Sequence, residues 1–137
     1  MIFLYILLGL FALGLGYMLF SYKKLKTSQV EASKDVITLT QSNYVKSVQG
    51  TIALIDFWAD WCMPCKLMAP ILNEVATEVK DYANICKLNV DQEQGLAQQF
   101  GVRSIPTLVL MKNGKEVKRF VGVQNKGLLI KEINNLR

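Results

Sequence analysis

Residues 52–66 read IALIDFWADWCMPCK, an apolar run that leads directly into a helical pattern. The first seven of these residues are apolar apart from Asp56, which is typical of a central strand covered on both faces. Apolar residues then recur at helical spacing across residues 63–80, which predicts a long helix with one buried face. The residues assigned to that face are Leu67, Met68, Ile71, Leu72, Val75 and Val79. Cys62 and Cys65 therefore lie where this strand meets this helix.

Strand-like and helix-like runs alternate on both sides of this stretch. Before it, Val36–Leu39 is a predicted strand, and Thr40 is the predicted N-cap of a short helix that ends near Val48. After it come a strand at Ile85–Val90, a helix at Gly95–Phe100, strands at Thr107–Met111 and Glu116–Val121 joined by an Asn113-Gly114 turn, and a helix at Asn125–Leu136. The predicted order is βαβαβαββα, an α/β fold with a mixed sheet flanked by helices.

The two cysteines are placed for redox chemistry. The unpaired amides and the macrodipole at a helix N-terminus stabilise an anion, so we expect Cys62 to be a thiolate near neutral pH and the exposed nucleophile. Cys65 follows one helical turn later, close enough for a disulfide but deeper in the helix, and is the predicted resolving thiol. The Cys62–Cys65 disulfide is the expected redox group, and no other cofactor is expected.

A Cys-x-x-Cys spacing has two other interpretations, a zinc site and a purely structural disulfide. A zinc site needs two further ligands, but the chain has no histidine and its one other cysteine, Cys86, falls inside a predicted strand. A purely structural disulfide is not expected at a strand-to-helix junction beside an exposed Trp61. The sequence therefore favours a redox-active pair and no metal.

Several motifs in order make the sequence similar to the thioredoxin family. They are DFWADWCMPCK at 56–66, MAPIL at 68–72, KLNVD at 87–91, GVRSIPT at 101–107, KNG at 112–114 and VG at 121–122. The resemblance covers roughly residues 36–137. It implies a thioredoxin fold and a thiol–disulfide oxidoreductase. The family usually has glycine at the position of Met63, so a larger side chain here is expected to change substrate contact and the reduction potential.

The resemblance also implies roles for individual residues. Pro106 would be a cis proline packed opposite Cys62, and the free backbone of Ile105 would receive the substrate chain. The residues expected to contact substrate are Trp61, Met63, Pro64, Ile105, Pro106, Val121 and Gly122. Burial of Asp56 is expected to raise the pKa of its carboxyl group. By resemblance Asp56 accepts the proton of Cys65, with Lys87 as its charge partner.

The partners follow from this chemistry. The substrates implied are disulfide-bearing proteins, and the electrons would come from a thioredoxin reductase or from a membrane thiol carrier. The chain contains no nucleotide-binding glycine motif of its own, so the reductase is expected to be another protein. The net charge of +5 is spread too evenly along the chain to indicate a nucleic-acid partner.

The N-terminal segment, residues 1–22, is a predicted transmembrane anchor. It carries no charged side chain, and about 20 helical residues reach about 30 Å, the thickness of a bilayer's hydrocarbon core. A cleaved signal peptide would have a charged start, a shorter apolar stretch and a small-residue cleavage site, and none of these is found. A polar linker is predicted at 23–35 and the thioredoxin domain at 36–137.

The lysines that follow the anchor bear on its orientation. Lys23, Lys24 and Lys26 favour a cytoplasmic domain at the bacterial inner membrane under the positive-inside rule. The predicted function is therefore a membrane-tethered protein-disulfide reductase. One alternative is an outward-facing envelope reductase of the cytochrome c maturation type. Another is a non-catalytic adaptor that grips a membrane partner through the surface around Trp61 and Pro106.

Overall fold

The computed structural model describes residues 1–26 and 31–137, so part of the predicted linker, residues 27–30, lies outside the described residues. The order βαβαβαββα predicted for the region after the linker is confirmed. The helices are α1 (Ile2–Lys26), α2 (Tyr44–Val48), α3 (Met63–Val79), α4 (Gln94–Gln99) and α5 (Lys126–Asn134). The strands are β1 (Val36–Thr38), β2 (Ile52–Trp58), β3 (Ala83–Asn89), β4 (Thr107–Lys112) and β5 (Lys115–Val121).

The strands form one mixed sheet in the order β1-β3-β2-β4-β5. Strand β3 runs parallel to both β1 and β2, whereas β4 is antiparallel to β2 and to β5. The predicted hairpin turn between β4 and β5 is confirmed, because Asn113 and Gly114 have φ angles of 52° and 78°, as such two-residue turns require. The central position of β2 explains its unbroken burial from Ile52 to Phe57.

Each face of the sheet is covered by two helices, which gives two apolar cores. On one face, Met68 and Leu72 of α3 and Leu129 of α5 pack against sheet residues that include Leu54 and Ile85. On the other face, α2 and α4 pack against the alternate residues of the same strands. Because β2 side chains alternate between the faces, Asp56 points to the α3 side, as Leu54 does.

Two local predictions were wrong. Helix α2 begins at Tyr44 and its N-cap is Asn43, not Thr40. The Asn43 side chain accepts a hydrogen bond from the Thr40 N–H at 2.8 Å, and this contact holds the preceding residues in a turn rather than a helix. Leu67 is 63% exposed, because it lies in the first half of α3 on the side turned away from the sheet. The buried face of α3 is therefore narrower near its N-terminus than the sequence suggested.

Helix α1 differs from the other helices because none of the apolar side chains between Ile2 and Phe20 is covered by protein. Its stretch Ile2–Ser21 has a mean hydropathy of 2.3 and is 0% buried. By length and composition this stretch is able to cross a membrane, and a signal sequence would meet the same criteria. The helix continues to Lys26, beyond the predicted end of the anchor.

Candidate active site

The two cysteines lie where the sequence predicted, between the end of β2 and the first turn of α3. Cys62 is the N-cap of α3, and its sulfur accepts a hydrogen bond from the Cys65 N–H at 3.2 Å. The two residues are joined by a disulfide, with their Cα atoms 5.3 Å apart. The same N–H group and the helix macrodipole will stabilise a thiolate on Cys62 once the disulfide is reduced.

Exposure does not distinguish the two cysteines. Each is 4% exposed, so the prediction that Cys62 is the more exposed one is wrong for this disulfide form. Ala59, Trp58, Val90 and Ile105 pack around the pair and cover both sulfurs. The cysteines differ instead in what surrounds them, because only Cys65 borders the cavity described next.

A cavity of about 90 Å³ lies between the sheet and the start of α3. Its wall includes Asp56, Trp58, Cys65 and Lys87, and we call this group the back cavity. The structure therefore brings together three of the residues to which catalytic roles were assigned, and leaves Cys62 outside that cavity. The volume is sufficient for a water molecule with polar partners.

Asp56 is the one ionisable residue in the otherwise apolar strand β2. It is 4% exposed, and among the described residues its Oδ1 atom has no hydrogen-bond partner. Burial raises the pKa of this carboxyl to about 7, and the positive charge of Lys87 opposes part of that rise. An acid with this pKa both gains and loses a proton near neutral pH.

Lys87 and Trp58 complete the back cavity. Lys87 is the register partner of Asp56 on the neighbouring parallel strand, so both side chains project to the α3 side. The Lys87 Nζ atom lies 5.3 Å from the centroid of the Trp58 ring, within the range of a cation–π contact. Trp58 was not assigned a role from the sequence, although its position at the end of the buried strand was a usable signal.

The opposite side of the disulfide carries exposed apolar side chains. Trp61 is 69% exposed and Met63 is 68% exposed, and Pro64 is exposed beside them on the first turn of α3. The Trp61 Nε1–H donates a hydrogen bond to the Asp91 carboxylate at 3.0 Å, which fixes the indole ring. Sequence reasoning missed Asp91 because the bond joins residues 30 positions apart.

The loop before β4 and the end of β5 complete this side. Ile105 packs against the two cysteines, and the Ile105–Pro106 peptide bond is cis, as the resemblance implied. The Gly122 N–H donates to the Pro106 carbonyl at 2.8 Å, which places the exposed Val121 next to this loop. Within the described chain, the Ile105 N–H and C=O have no backbone partner. We call Trp61, Met63, Pro64, Ile105, Pro106, Val121 and Gly122 the front surface. Four of these residues are exposed, Ile105 and Gly122 are half-buried, and Pro106 is buried.

Cys86 lies away from this site. It is fully buried in the core on the α2 and α4 face, and burial raises the pKa of its thiol to about 12, so it stays protonated. This agrees with the interpretation of Cys86 as a small buried apolar residue. Among residues 1–26 and 31–137, no three His, Cys, Asp or Glu side chains are grouped so as to hold a metal ion.

Comparisons with known proteins agree with this geometry. The family model described as Thioredoxin matches residues 35–135. The chain is 46% identical over 96 residues to a thioredoxin of Chlamydia muridarum, a match that covers 70% of this chain and 93% of the relative. It is 47% identical over 91 residues to a thioredoxin of Alicyclobacillus acidocaldarius, covering 66% of this chain and 87% of the relative. A solved mutant thioredoxin from Halobacterium salinarum superposes with a TM-score of 0.70 at 34% identity, covering 77% of this chain and 95% of the other.

Proposed function

The chain belongs to the thioredoxin family and is a thiol–disulfide oxidoreductase, and from this premise we propose that it is a membrane-tethered protein-disulfide reductase. The observation that carries the proposal is that the two cysteines of one disulfide have different surroundings. The front surface offers an apolar, exposed platform beside Cys62. The back cavity holds a carboxyl group of raised pKa beside Cys65.

The proposed reaction has two exchange steps. The Cys62 thiolate attacks one sulfur of the substrate disulfide, which forms a mixed disulfide and releases the other substrate sulfur as a thiolate. Cys65 then loses its proton and attacks the Cys62 sulfur, which forms the Cys62–Cys65 disulfide and releases the second substrate thiolate. Two electrons pass from the dithiol to the substrate, and the product is the disulfide form described above.

Asp56 is the proposed acceptor of the Cys65 proton. Asp56 and Cys65 both border the back cavity, and the cavity has room for a water molecule that bridges them. Ionised Asp56 takes the proton, and because burial raises the pKa of its carboxyl group to about 7, Asp56 is able to release the proton again near neutral pH. Lys87 supports this role because its charge lowers the pKa of Asp56 from the value that burial alone would give.

The proposed substrates are disulfide-bearing proteins, and their chains would bind along the front surface. The unpaired backbone of Ile105 suits an extended chain, which would add to this edge as a short strand. The proposed electron donor is a thioredoxin reductase for a cytoplasmic domain, or a membrane thiol carrier for an outward-facing one. No bound cofactor is proposed beyond the cysteine pair.

A reduction assay tests the catalytic proposal. The full chain in detergent, supplied with dithiothreitol, is expected to accelerate the precipitation of insulin chains that follows reduction of their disulfides. The Cys62→Ser variant is expected to lose this activity while remaining folded. If the wild-type chain left insulin reduction at its uncatalysed rate, the adaptor interpretation would replace the reductase.

The tether and its orientation need a separate experiment. We propose that the Ile2–Ser21 stretch of α1 spans the membrane and that the domain faces the cytoplasm, because three lysines follow the span in the sequence. A membrane-impermeant maleimide is expected to leave Cys62 unlabelled in intact reduced cells and to label it after lysis. Labelling in intact cells would favour the outward-facing reductase instead.

A further inference from the structure

The residues that precede β1 are packed on helix α3. Asn73 of α3 uses both atoms of its side-chain amide on this segment. Its Oδ1 accepts from the Ser33 N–H at 2.8 Å, and its Nδ2 donates to the Glu31 carbonyl at 3.0 Å. This pair of bonds holds two backbone groups of one extended segment, and we call it the Asn73 clamp. A hydrogen bond of 3.2 Å from the Thr77 hydroxyl to the Asp35 carboxylate adds a second attachment.

The direction of the segment follows from these contacts. Asp35 lies beside Thr77, and Ser33 lies beside Asn73, one helical turn closer to the start of α3. Ala32 borders the back cavity together with Cys65. Traced backwards from β1, the chain therefore runs along α3 towards the reactive disulfide. The Glu31 carbonyl is therefore held about halfway along α3, on the side of the helix that borders the back cavity.

The length of chain between the clamp and the anchor is short. Five residue steps separate Lys26 from Glu31 and span at most about 18 Å, whatever path they take. The last helical residues of α1 beyond Ser21 add about 8 Å, and the eight positions of α3 from Asn73 to Cys65 add about 12 Å along the helix axis. The clamp itself, from the Glu31 backbone through the Asn73 side chain to the backbone of α3, adds up to about 9 Å. With the clamp closed, the disulfide cannot lie more than about 50 Å from the end of the span.

We propose that the Asn73 clamp shortens the tether and thereby selects disulfides of membrane-embedded proteins as substrates. This inference rests on the proposed function of a tethered reductase. Confinement within about 50 Å raises the effective concentration of disulfides close to the membrane surface and excludes those held farther away. Asn73 is thus a positioning residue, since it acts through the path of the chain and not on the reacting sulfurs.

A pair of substrates of different height tests the proposal. The full chain is reconstituted in phosphatidylcholine vesicles with a single-span peptide whose fluorescent disulfide loop stands either directly above the span or on a rigid polyproline spacer. A spacer of 18 prolines holds the loop about 56 Å away, beyond the clamped reach. Dithiothreitol supplies the electrons, and the near-to-far ratio of catalysed rates is measured, which cancels any change in chemistry common to both substrates.

The wild-type chain is expected to give a near-to-far ratio of at least about 10. Asn73→Ala frees residues 31–34 up to the contact between Asp35 and Thr77, adds about 14 Å of chain and is expected to lower the ratio at least about 3-fold. Asn73→Asp keeps the acceptor for the Ser33 N–H but loses the donor to the Glu31 carbonyl, so an intermediate ratio is expected. Asn135→Ala changes an exposed asparagine at the other end of the domain and is expected to keep the wild-type ratio.

The two proposals fail in different ways. Equal ratios in the wild-type chain and in Asn73→Ala, or a wild-type ratio near 1, would overturn the clamp and leave the reductase intact. A chain that reduced neither loop, or that was washed off the vesicles by alkaline carbonate, would overturn the tethered reductase itself.

Discussion

The front surface and the back cavity lie on two sides of the same disulfide and differ in almost every physical property. The front surface is apolar and open, with Trp61 and Met63 mostly exposed. The back cavity is partly open and holds the pair of Asp56, whose side chain is buried, and Lys87. The fold thus separates substrate binding, which needs an accessible surface, from proton transfer, which needs a carboxyl group whose pKa is raised by burial. Cysteines of equal burial receive different roles from their surroundings.

The largest effect is expected from removal of the nucleophile on the front side. Cys62→Ser should lower the rate of insulin reduction by at least about 1,000-fold, because a hydroxyl is not ionised near neutral pH and cannot form the mixed disulfide. Cys86→Ala is the matched control, since it removes a thiol remote from the site and should retain activity within about two-fold. Loss of activity in the control alone would contradict the assignment.

The second effect concerns the loss of folding stability when the buried carboxyl group of Asp56 ionises. The pKa of Asp56 is about 7 in the folded chain against 3.8 for the ordinary carboxyl, so the folded state binds the proton more tightly. The contribution of Asp56 to stability should therefore be greatest below about pH 4 and fall as the pH rises through about 7, by at most about 4 kcal/mol. Asp56→Asn should remove this part of the pH dependence.

Urea unfolding at pH 4 and pH 8 measures this difference directly. Asp81→Asn, which removes an exposed carboxyl, corrects for the change in net charge. The gain in unfolding free energy from Asp56→Asn should be several kcal/mol larger at pH 8 than at pH 4. A gain that is the same at both pH values would show that the carboxyl is not held at a raised pKa.

The third effect separates the two exchange steps. Asp56→Asn should slow the release of substrate from the mixed disulfide by about 10- to 100-fold, because Cys65 loses its proton acceptor, while the attack by Cys62 is little changed. In the wild type the release rate should rise with pH through about 7, as Asp56 ionises. Lys87→Gln should move this rise to higher pH, since the charge that lowers the pKa of Asp56 is gone.

Stopped-flow measurement of mixed-disulfide decay between pH 5.5 and 8.5 resolves these rates. If Asp56→Asn slowed formation of the mixed disulfide and left its decay unchanged, the back cavity would be acting on Cys62, and the assignment of Asp56 to Cys65 would be wrong.

The smallest effect is expected on the front surface. Trp61→Ala removes an apolar contact and should raise KM for a protein substrate by about 10-fold while kcat changes less than about 2-fold. Trp61→Phe keeps most of the apolar area and loses only the hydrogen bond to Asp91, so a rise in KM of about 2-fold is expected. A fall in kcat at constant KM in both variants would place Trp61 in the chemical step.

Much of the fold was predictable because local patterns and global packing agree. The strand at Ile52–Trp58 was predicted with its observed bounds, since a run of that length that is apolar apart from Asp56 is typical of a strand buried on both faces. The start of α2 was not, because it depends on the Asn43 side chain competing for the Thr40 N–H. The exposure of Leu67 was not predicted, because helical spacing alone does not show how wide the buried face of a helix is.

The site was predictable to the extent that its parts are adjacent in sequence or share a strand register. Asp56 and Lys87 face the same side because each occupies an equivalent position on a parallel pair of strands. The bond from Trp61 to Asp91 joins residues 30 apart, and the Asn73 clamp joins residues 40 and 42 apart. These contacts form between elements that are far apart in the chain. No local sequence pattern shows which side chains of such elements lie next to one another.

Trapping of the reaction intermediate tests most directly the claim that the two sides of the disulfide give the cysteines different roles. Two variants that each lack one cysteine of the pair, Cys65→Ser and Cys62→Ser, are mixed with a disulfide-bearing protein. The covalent complexes are quantified by mass spectrometry. Cys65→Ser is expected to accumulate a stable complex through Cys62, and Cys62→Ser is expected to form almost none. Comparable yields of a complex through Cys65 in the Cys62→Ser variant would contradict this claim.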